Sequence, residues 1–172
     1  ISYSSSQNWG SVATYSCSPG YTLVGGNTTR TCGGVSNPGT WSGSAPTCQL
    51  ITCNALSLTN GTIGYSNAQN WGSVATLSCA TGYTLGGSSS RTCGGTVNPG
   101  TWSGTTTTCT IKDCGTPPVL ANATRVYAGG TTYGQTATYT CSSGYQGTGT
   151  NTISCTAAGT WSTLNYVCND IN

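Results

Sequence analysis

One pattern of cysteines, glycines and a tryptophan occurs three times along this chain, and it restricts the fold more than any other feature. The first two copies share the segments QNWGSVAT, GYTL, RTCGG and NPGTWSG in the same order. The third copy diverges but keeps TATYTC, a Gly-Tyr pair and GTWS. In every copy the tryptophan stands seven residues before the last cysteine, at Trp41, Trp102 and Trp161. A period of about sixty residues predicts small structural units in tandem.

The number of cysteines indicates how such small units are stabilised. A unit of this length buries only about 60% of its unfolded surface, so its core is marginal. The chain has 11 cysteines in 172 residues and no histidine. Closely spaced CxxC pairs of the zinc-binding type are absent from the sequence, so we expect disulfides, no metal and no cofactor. Four cysteines in a complete unit allow three pairings, and their spacing alone does not separate them.

The segments that enter the second cysteine of each copy alternate with a period of two, which is typical of a half-buried strand. The apolar set should face inward with the cysteine. That set consists of Ala13, Tyr15 and Cys17, then Ala75, Leu77 and Cys79, then Ala137, Tyr139 and Cys141. The 26 glycines and the Asn-Pro-Gly turns argue against helices. The sequence predicts an all-β fold, with the three repeat tryptophans as core anchors.

The order Cys, Cys, Cys, Trp, Cys, with Gly-Tyr after the second cysteine, resembles the sushi module, also called the complement control protein module or short consensus repeat. The resemblance covers essentially the whole chain. It implies that the first cysteine of each module bonds to the third and the second to the fourth. The implied pairs are Cys17–Cys48, Cys53–Cys93, Cys79–Cys109, Cys114–Cys155 and Cys141–Cys168.

Module boundaries follow from the cysteines. The predicted modules are 1–48, 53–109 and 114–168, joined by linkers at 49–52 and 110–113, with a further linker at 169–172 leading to an expected fourth module. Linkers of four residues hold neighbours in near-contact, which favours an elongated rod. Ile1 aligns with Ile63, so we expect about ten residues and a first cysteine to be missing before Ile1.

Cys32 is left without a partner by this alignment. Either this sequence is a piece of a longer tandem array, or a neighbouring subunit supplies the missing strand and cysteine in a head-to-tail filament. The sequence leaves both interpretations open.

Charged residues are unusually rare. The chain has four cations and two aspartates, 3% of its residues, where about a quarter is usual. A surface this neutral favours self-association, and attached glycans would keep it soluble. Asn27, Asn60 and Asn122 lie in N-glycosylation sequons, and Thr105, Thr106, Thr107 and Thr108 form a run that is a candidate for O-glycosylation.

Several functions are disfavoured by composition. General acid–base catalysis usually needs His, Glu or a perturbed Asp or Lys, so we expect no enzyme. Four scattered cations form no basic stripe for nucleic acid. Calcium sites need clustered carboxylates, and a membrane-spanning helix needs about 18 apolar residues in succession. The chain offers neither.

The resemblance implies a non-catalytic protein of the extracellular space or cell surface, used for recognition, adhesion or spacing. We expect a structural glycoprotein whose modules form a rigid rod, filament or surface coat by head-to-tail or lateral association. Its partners would be copies of itself, neighbouring modules and covalent glycans. The alternative is the ectodomain of an adhesion or recognition protein. It would contact a protein or glycan through aromatics of the QNWG position, which are Trp9, Trp71 and Tyr133.

Overall fold

The computed structural model describes residues 1–171. Within that range it contains seventeen β-strands and no helix. The predicted all-β class is confirmed. The last residue of the predicted 169–172 linker, Asn172, lies outside the described residues.

Each module contributes five or six short strands. The first has β1 Ser2–Tyr3, β2 Val12–Thr14, β3 Tyr21–Val24, β4 Thr29–Gly33, β5 Thr40–Trp41 and β6 Thr47–Leu50. The second has β7 Gly61–Tyr65, β8 Val74–Cys79, β9 Tyr83–Gly86, β10 Ser90–Gly94, β11 Thr101–Trp102 and β12 Thr108–Ile111. The third has β13 Ala123–Val126, β14 Thr136–Cys141, β15 Tyr145–Thr150, β16 Thr152–Ser154 and β17 Asn165–Asp170.

The same topology recurs in every module. One antiparallel sheet is built around the strand that enters the second cysteine, in the orders β1-β2-β4-β5, β7-β8-β10-β11 and β13-β14-β16. A separate two-stranded ribbon pairs the Gly-Tyr strand with the last strand, as β3-β6, β9-β12 and β15-β17. In the third module the counterpart of the short strands β5 and β11 is a single bridge between Cys155 and Trp161.

The predicted alternation is observed on the central strands. Ala75, Leu77, Ala137 and Tyr139 are buried, while the threonines between them are exposed. The inward face therefore carries small or apolar side chains next to the cysteine, as period-two patterning requires. In the first module the regular strand β2 already ends at Thr14, although Ala13 keeps the buried position.

Residues 1–171 contain five disulfides, each of which lies within a single module. They join Cys17 to Cys48, Cys53 to Cys93, Cys79 to Cys109, Cys114 to Cys155 and Cys141 to Cys168. These are the pairs that the resemblance implies. They close loops of 27 to 41 residues, each of which stabilises the fold by about 4 kcal/mol on a chain-entropy estimate.

The prediction that the repeat tryptophans are core anchors needs correction, because Trp41, Trp102 and Trp161 are only half-buried. Their polar edge explains this: the indole N–H of Trp102 donates to the Asn54 carbonyl at 2.7 Å, and that of Trp161 to the Gly115 carbonyl at 2.9 Å. An indole that must reach a carbonyl at the module edge cannot lie in the centre. In the third module the centre is filled by Ala137, Tyr139 and Ile153, with Trp161 packed against them.

The contacts within the chain define two compact units. The first comprises Ile1–Ser57, Gly64–Thr76 and Ser90–Thr105, and the second comprises Leu58–Ile63, Leu77–Ser89 and the chain from Thr106 onward. Each unit thus contains the whole of one outer module together with part of the middle one. The first linker lies inside the first unit and the second linker inside the second.

Candidate functional site

The predicted linkers are extensions of the ribbon strands. Gln49 and Leu50 belong to β6, Thr110 and Ile111 to β12, and Asn169 and Asp170 to β17. The next residue in each case donates its N–H to the glycine of the Gly-Tyr pair. These bonds join Ile51 to Gly20 at 2.8 Å, Lys112 to Gly82 at 2.9 Å and Ile171 to Gly144 at 3.1 Å. The three modules therefore end in the same backbone arrangement.

In the first unit this linker is packed against Trp71. Ile51 is 1% exposed, and its carbonyl accepts the backbone N–H of Trp71 at 2.9 Å. The Trp71 ring covers Gly20, where an added Cβ would lie 3.0 Å from a ring carbon. Gly20 also has a φ of +86°, in the left-handed region. Only glycine satisfies both the turn and the close approach of the ring.

Polar groups fix the same linker from the other side. The indole N–H of Trp71 donates to the Gly95 carbonyl at 3.2 Å. The Asn98 side chain accepts from the Thr52 N–H at 3.2 Å and donates to the Leu50 carbonyl at 3.3 Å. The Asn-Pro-Gly turn therefore acts as a clamp on the linker, a role that its turn chemistry did not reveal.

In the second unit a tyrosine takes the place of the tryptophan. The backbone N–H of Tyr133 donates to the Lys112 carbonyl at 2.9 Å, and its ring occupies the space where a Cβ on Gly82 would stand. Because this module has no Asn-Pro-Gly turn, the clamp differs: the Lys112 Nζ donates to the Ala157 carbonyl at 2.7 Å. An aromatic ring over a glycine is thus common to both joints, and we call this arrangement the aromatic joint.

The second joint also orients a carboxylate. Asp113 accepts a hydrogen bond from Thr131 and another from the Gly115 N–H at 2.9 Å, and both bonds lower its pKa. The carboxylate is held as an anion by donors of its own chain, so it helps to shape the turn after the linker.

The aromatics of the QNWG position thus divide into two kinds. Trp71 and Tyr133 lie in aromatic joints, whereas Trp9 is 80% exposed. Trp71 retains 39% exposure. Trp9 borders a hollow of about 420 Å³ that Gln7, Cys32, Asn37 and Trp41 also line.

Sequence reasoning missed the role of the arginines. The guanidinium of Arg30 donates to the carbonyls of Ser42 at 2.8 Å and Gly43 at 3.1 Å. Arg91 repeats this with the carbonyls of Ser103 at 2.8 Å and Trp102 at 3.4 Å. Both arginines occur in the repeated RTCGG segment, and this repetition was the sequence signal that could have predicted a structural role for them. These cations stabilise turns within their own modules.

The three sequon asparagines, Asn27, Asn60 and Asn122, are exposed. The threonine run is less uniform. Thr105, Thr106 and Thr108 are exposed, but Thr107 is 7% exposed and its hydroxyl donates to the Ser88 carbonyl at 2.6 Å. Thr107 is therefore corrected from a candidate O-glycosylation site to a structural residue.

Cys32 is a free thiol, 7% exposed. Among residues 1–171 no three metal-binding side chains come together, and no helix in that range is long and apolar enough to cross a membrane.

The repeats of this chain are similar to those of known proteins. The family model of the sushi repeat (SCR repeat) matches residues 1–48, 53–109 and 114–168. The chain is 33% identical over 160 residues to the mouse "Sushi, von Willebrand factor type A, EGF and pentraxin domain-containing protein 1", covering 93% of this chain and 4% of that protein. It is 32% identical over 161 residues to complement control protein C3 of vaccinia virus, covering 90% and 58%. It is 27% identical over 164 residues to horse E-selectin, covering 92% and 26%.

The chain belongs to the sushi-repeat family. Among the relatives named above are a complement control protein and a selectin. The chain spans between 4% and 58% of the length of those relatives.

Proposed function

We propose that this protein is a non-catalytic extracellular structural glycoprotein, in which tandem sushi modules form a stiff rod, filament or surface coat. The aromatic joint is the observation that carries the proposal. A linker whose third residue bonds to the glycine before it and to the aromatic after it, as Ile51 does, has little freedom to bend. A tandem array with this joint at every linker would act as a stiff spacer.

The composition of the surface supports the same function. Arg30, Arg91, Lys112 and Arg125 all donate to backbone carbonyls of their own chain, so the cations stabilise the modules themselves. A nearly neutral surface approaches a copy of itself without the cost of desolvating charges. Exposed Asn27, Asn60 and Asn122 would carry the glycans that keep it hydrated.

Electron microscopy of native material tests this function. The proposal predicts elongated assemblies whose axial repeat matches a whole number of modules. Mass spectrometry before and after enzymatic removal of N-glycans should show a loss at the three sequons. Compact single particles carrying no glycan would contradict the proposal.

A second candidate is an adhesion or recognition protein, which the names of complement receptor type 2 and E-selectin among the relatives favour. A groove of about 520 Å³ between strand β3 and the Asn-Pro-Gly turn offers a binding place, lined by Leu23, Val24, Val97, Asn98 and Pro99. On this hypothesis a glycan array should show selective binding that Val97→Asp abolishes and Val119→Asp, at an exposed position outside the groove, leaves intact. Uniform absence of binding would exclude glycan recognition through this groove.

A further inference from the structure

The sequon at Asn60 lies beside the second aromatic joint. Asn60 is exposed, has a φ of +57° and accepts the backbone N–H of Ala80 at its carbonyl, at 2.8 Å. Ala80 begins the tight turn that ends at Tyr83, whose N–H donates to the Ala80 carbonyl at 3.1 Å. Gly82, inside this turn, is the glycine that the Tyr133 ring covers. The sequon is therefore bonded directly to the turn on which the joint is built.

The same sequon position recurs in the third module. Asn122 has a φ of +55°, and its carbonyl accepts the Ser142 N–H at 2.8 Å, as the carbonyl of Asn60 accepts that of Ala80. The middle residue of the sequon differs, since it is glycine in the second module and alanine in the third. A single sequon often arises by chance. Recurrence at the same turn, in modules that diverge elsewhere, favours a role tied to that turn.

The ring of the second joint is held by fewer hydrogen bonds than that of the first. Trp71 uses both its backbone N–H and its indole N–H, which donate to the carbonyls of Ile51 and Gly95. Tyr133 uses its backbone N–H, which donates to Lys112, but among residues 1–171 its hydroxyl has no hydrogen-bond partner. Every buried side-chain oxygen in that range is bonded, so this hydroxyl is open to solvent. The second joint therefore offers an unpaired phenol hydroxyl.

We propose that an N-glycan on Asn60 packs over the second joint, against Tyr133, and limits the opening of that joint. The inference rests on the proposed structural function, because it gives one glycan of that glycoprotein a mechanical role. The first sugar of an N-glycan carries hydroxyls and an amide that bond to a phenol, and its ring carbons pack on an aromatic face. Because the sugar is tethered beside the ring, its effective concentration there is high. A bulky group at this position also obstructs bending toward its own side of the linker.

The distances along the chain allow this contact. Asn60 bonds to Ala80, and two residues of chain span at most about 7 Å, so Gly82 lies within roughly 10 Å of the Asn60 carbonyl. An asparagine side chain with its first one or two sugar rings covers such a distance. Asn27 differs, because it lies between β3 and β4 and its N–H donates to the Ser44 carbonyl of the same module at 2.9 Å. A glycan on Asn27 therefore serves as the control.

Amide hydrogen exchange of the full chain, secreted by a eukaryotic host, tests the proposal at the joint itself. The amides of Lys112 and Tyr133 close the second joint, and those of Ile51 and Trp71 close the first. Thr62→Val removes the sequon at an exposed strand position, whereas Thr62→Ser keeps it. Thr62→Val should speed exchange of the Lys112 and Tyr133 amides by at least about fivefold and leave the first joint unchanged. Thr62→Ser should exchange like the wild type.

Two further samples separate the effect of the sugar from that of the substitution. Thr29→Val removes the Asn27 sequon and should change neither joint. Enzymatic removal of all N-glycans from the wild type should reproduce the Thr62→Val result, although it retains the Thr62 hydroxyl that bonds to Ser78 at 2.9 Å. A mass spectrum that shows Asn60 without a glycan overturns the proposal, as does equal exchange with and without that glycan. Stiff, glycosylated rods with equal exchange would leave the structural function standing while removing this role of the sugar.

Discussion

At the scale of single residues, Gly20 and Gly82 show how the glycine of a Gly-Tyr pair is fixed by packing against the next module. Gly82 combines a φ of +83° with contact to the Tyr133 ring, whereas Gly134 has a φ of +85° and nothing within 4 Å of an added Cβ. Alanine at either position strains the backbone by about 1–3 kcal/mol, but only at Gly82 does it also displace a ring.

We therefore predict that Gly82→Ala lowers the free energy of unfolding of the second unit more than Gly134→Ala does. The difference should be at least about 1 kcal/mol, the usual cost of overpacking. Urea denaturation of both variants measures it. Equal destabilisation by the two alanines would mean that the Tyr133 ring moves away freely and that the joint is loose.

Tyr139 gives a prediction that depends on pH. It is 1% exposed, its hydroxyl donates to the Pro118 carbonyl at 2.6 Å, and burial raises its pKa although Arg125 opposes the shift. The folded state therefore holds this proton at pH values where the unfolded chain releases it. The stability due to Tyr139 is complete below the unfolded pKa of about 10 and is lost as pH rises through the higher folded value.

The stability of the wild type should accordingly decline above about pH 10, the ordinary tyrosine pKa, in thermal denaturation followed over pH. Tyr139→Phe should flatten that decline while costing about 1 kcal/mol at neutral pH through its lost hydrogen bond. Tyr3→Phe, at a position 44% exposed, should keep the wild-type profile. A decline that is identical in Tyr139→Phe would place its origin at another group.

At the scale of elements, the arginine on β10 ties that strand to the turn after β11. Arg91→Met should lower stability by about 1–2 kcal/mol, since the carbonyls of Ser103 and Trp102 lose a charged donor. Arg91→Lys should lose most of the same energy, because an ammonium lacks the planar fork. Urea denaturation compares the two. If Lys restores full stability, charge rather than geometry holds the turn.

The strands were predictable because their signal is local. Alternation in the segment before Cys79 assigns Ala75 and Leu77 to the buried face without any knowledge of the rest of the fold. The disulfide pairs were not accessible from spacing and came only from the resemblance to the sushi module. The glycine of Gly-Tyr was visible as a repeat, but its φ and its neighbour were not.

The aromatic joint itself was beyond local reasoning. Whether Trp71 packs or stays exposed depends on Gly20 and Ile51, which belong to the preceding module and linker. The misassignment of Trp102 as a core anchor has a related cause, since the Asn54 carbonyl that draws its indole N–H outward has no sequence signature. Contacts to backbone carbonyls leave little trace in side-chain patterns.

At the scale of the whole molecule, we expect the aromatic joints to determine how stiff the chain is. Linkers of four residues would allow wide bending if they were unbonded. In each unit the linker is instead hydrogen-bonded on both sides and covered by an aromatic ring. We therefore expect little bending at either linker.

Small-angle X-ray scattering in dilute solution tests this claim most directly. Trp71→Ala and Tyr133→Ala should broaden the distribution of interatomic distances and increase the apparent flexibility of the chain. Trp9→Ala, which removes the equivalent but exposed ring, should scatter like the wild type. If the joint variants scatter like the wild type, or if the wild type is already flexible, the aromatic joint does not set the stiffness and the account fails.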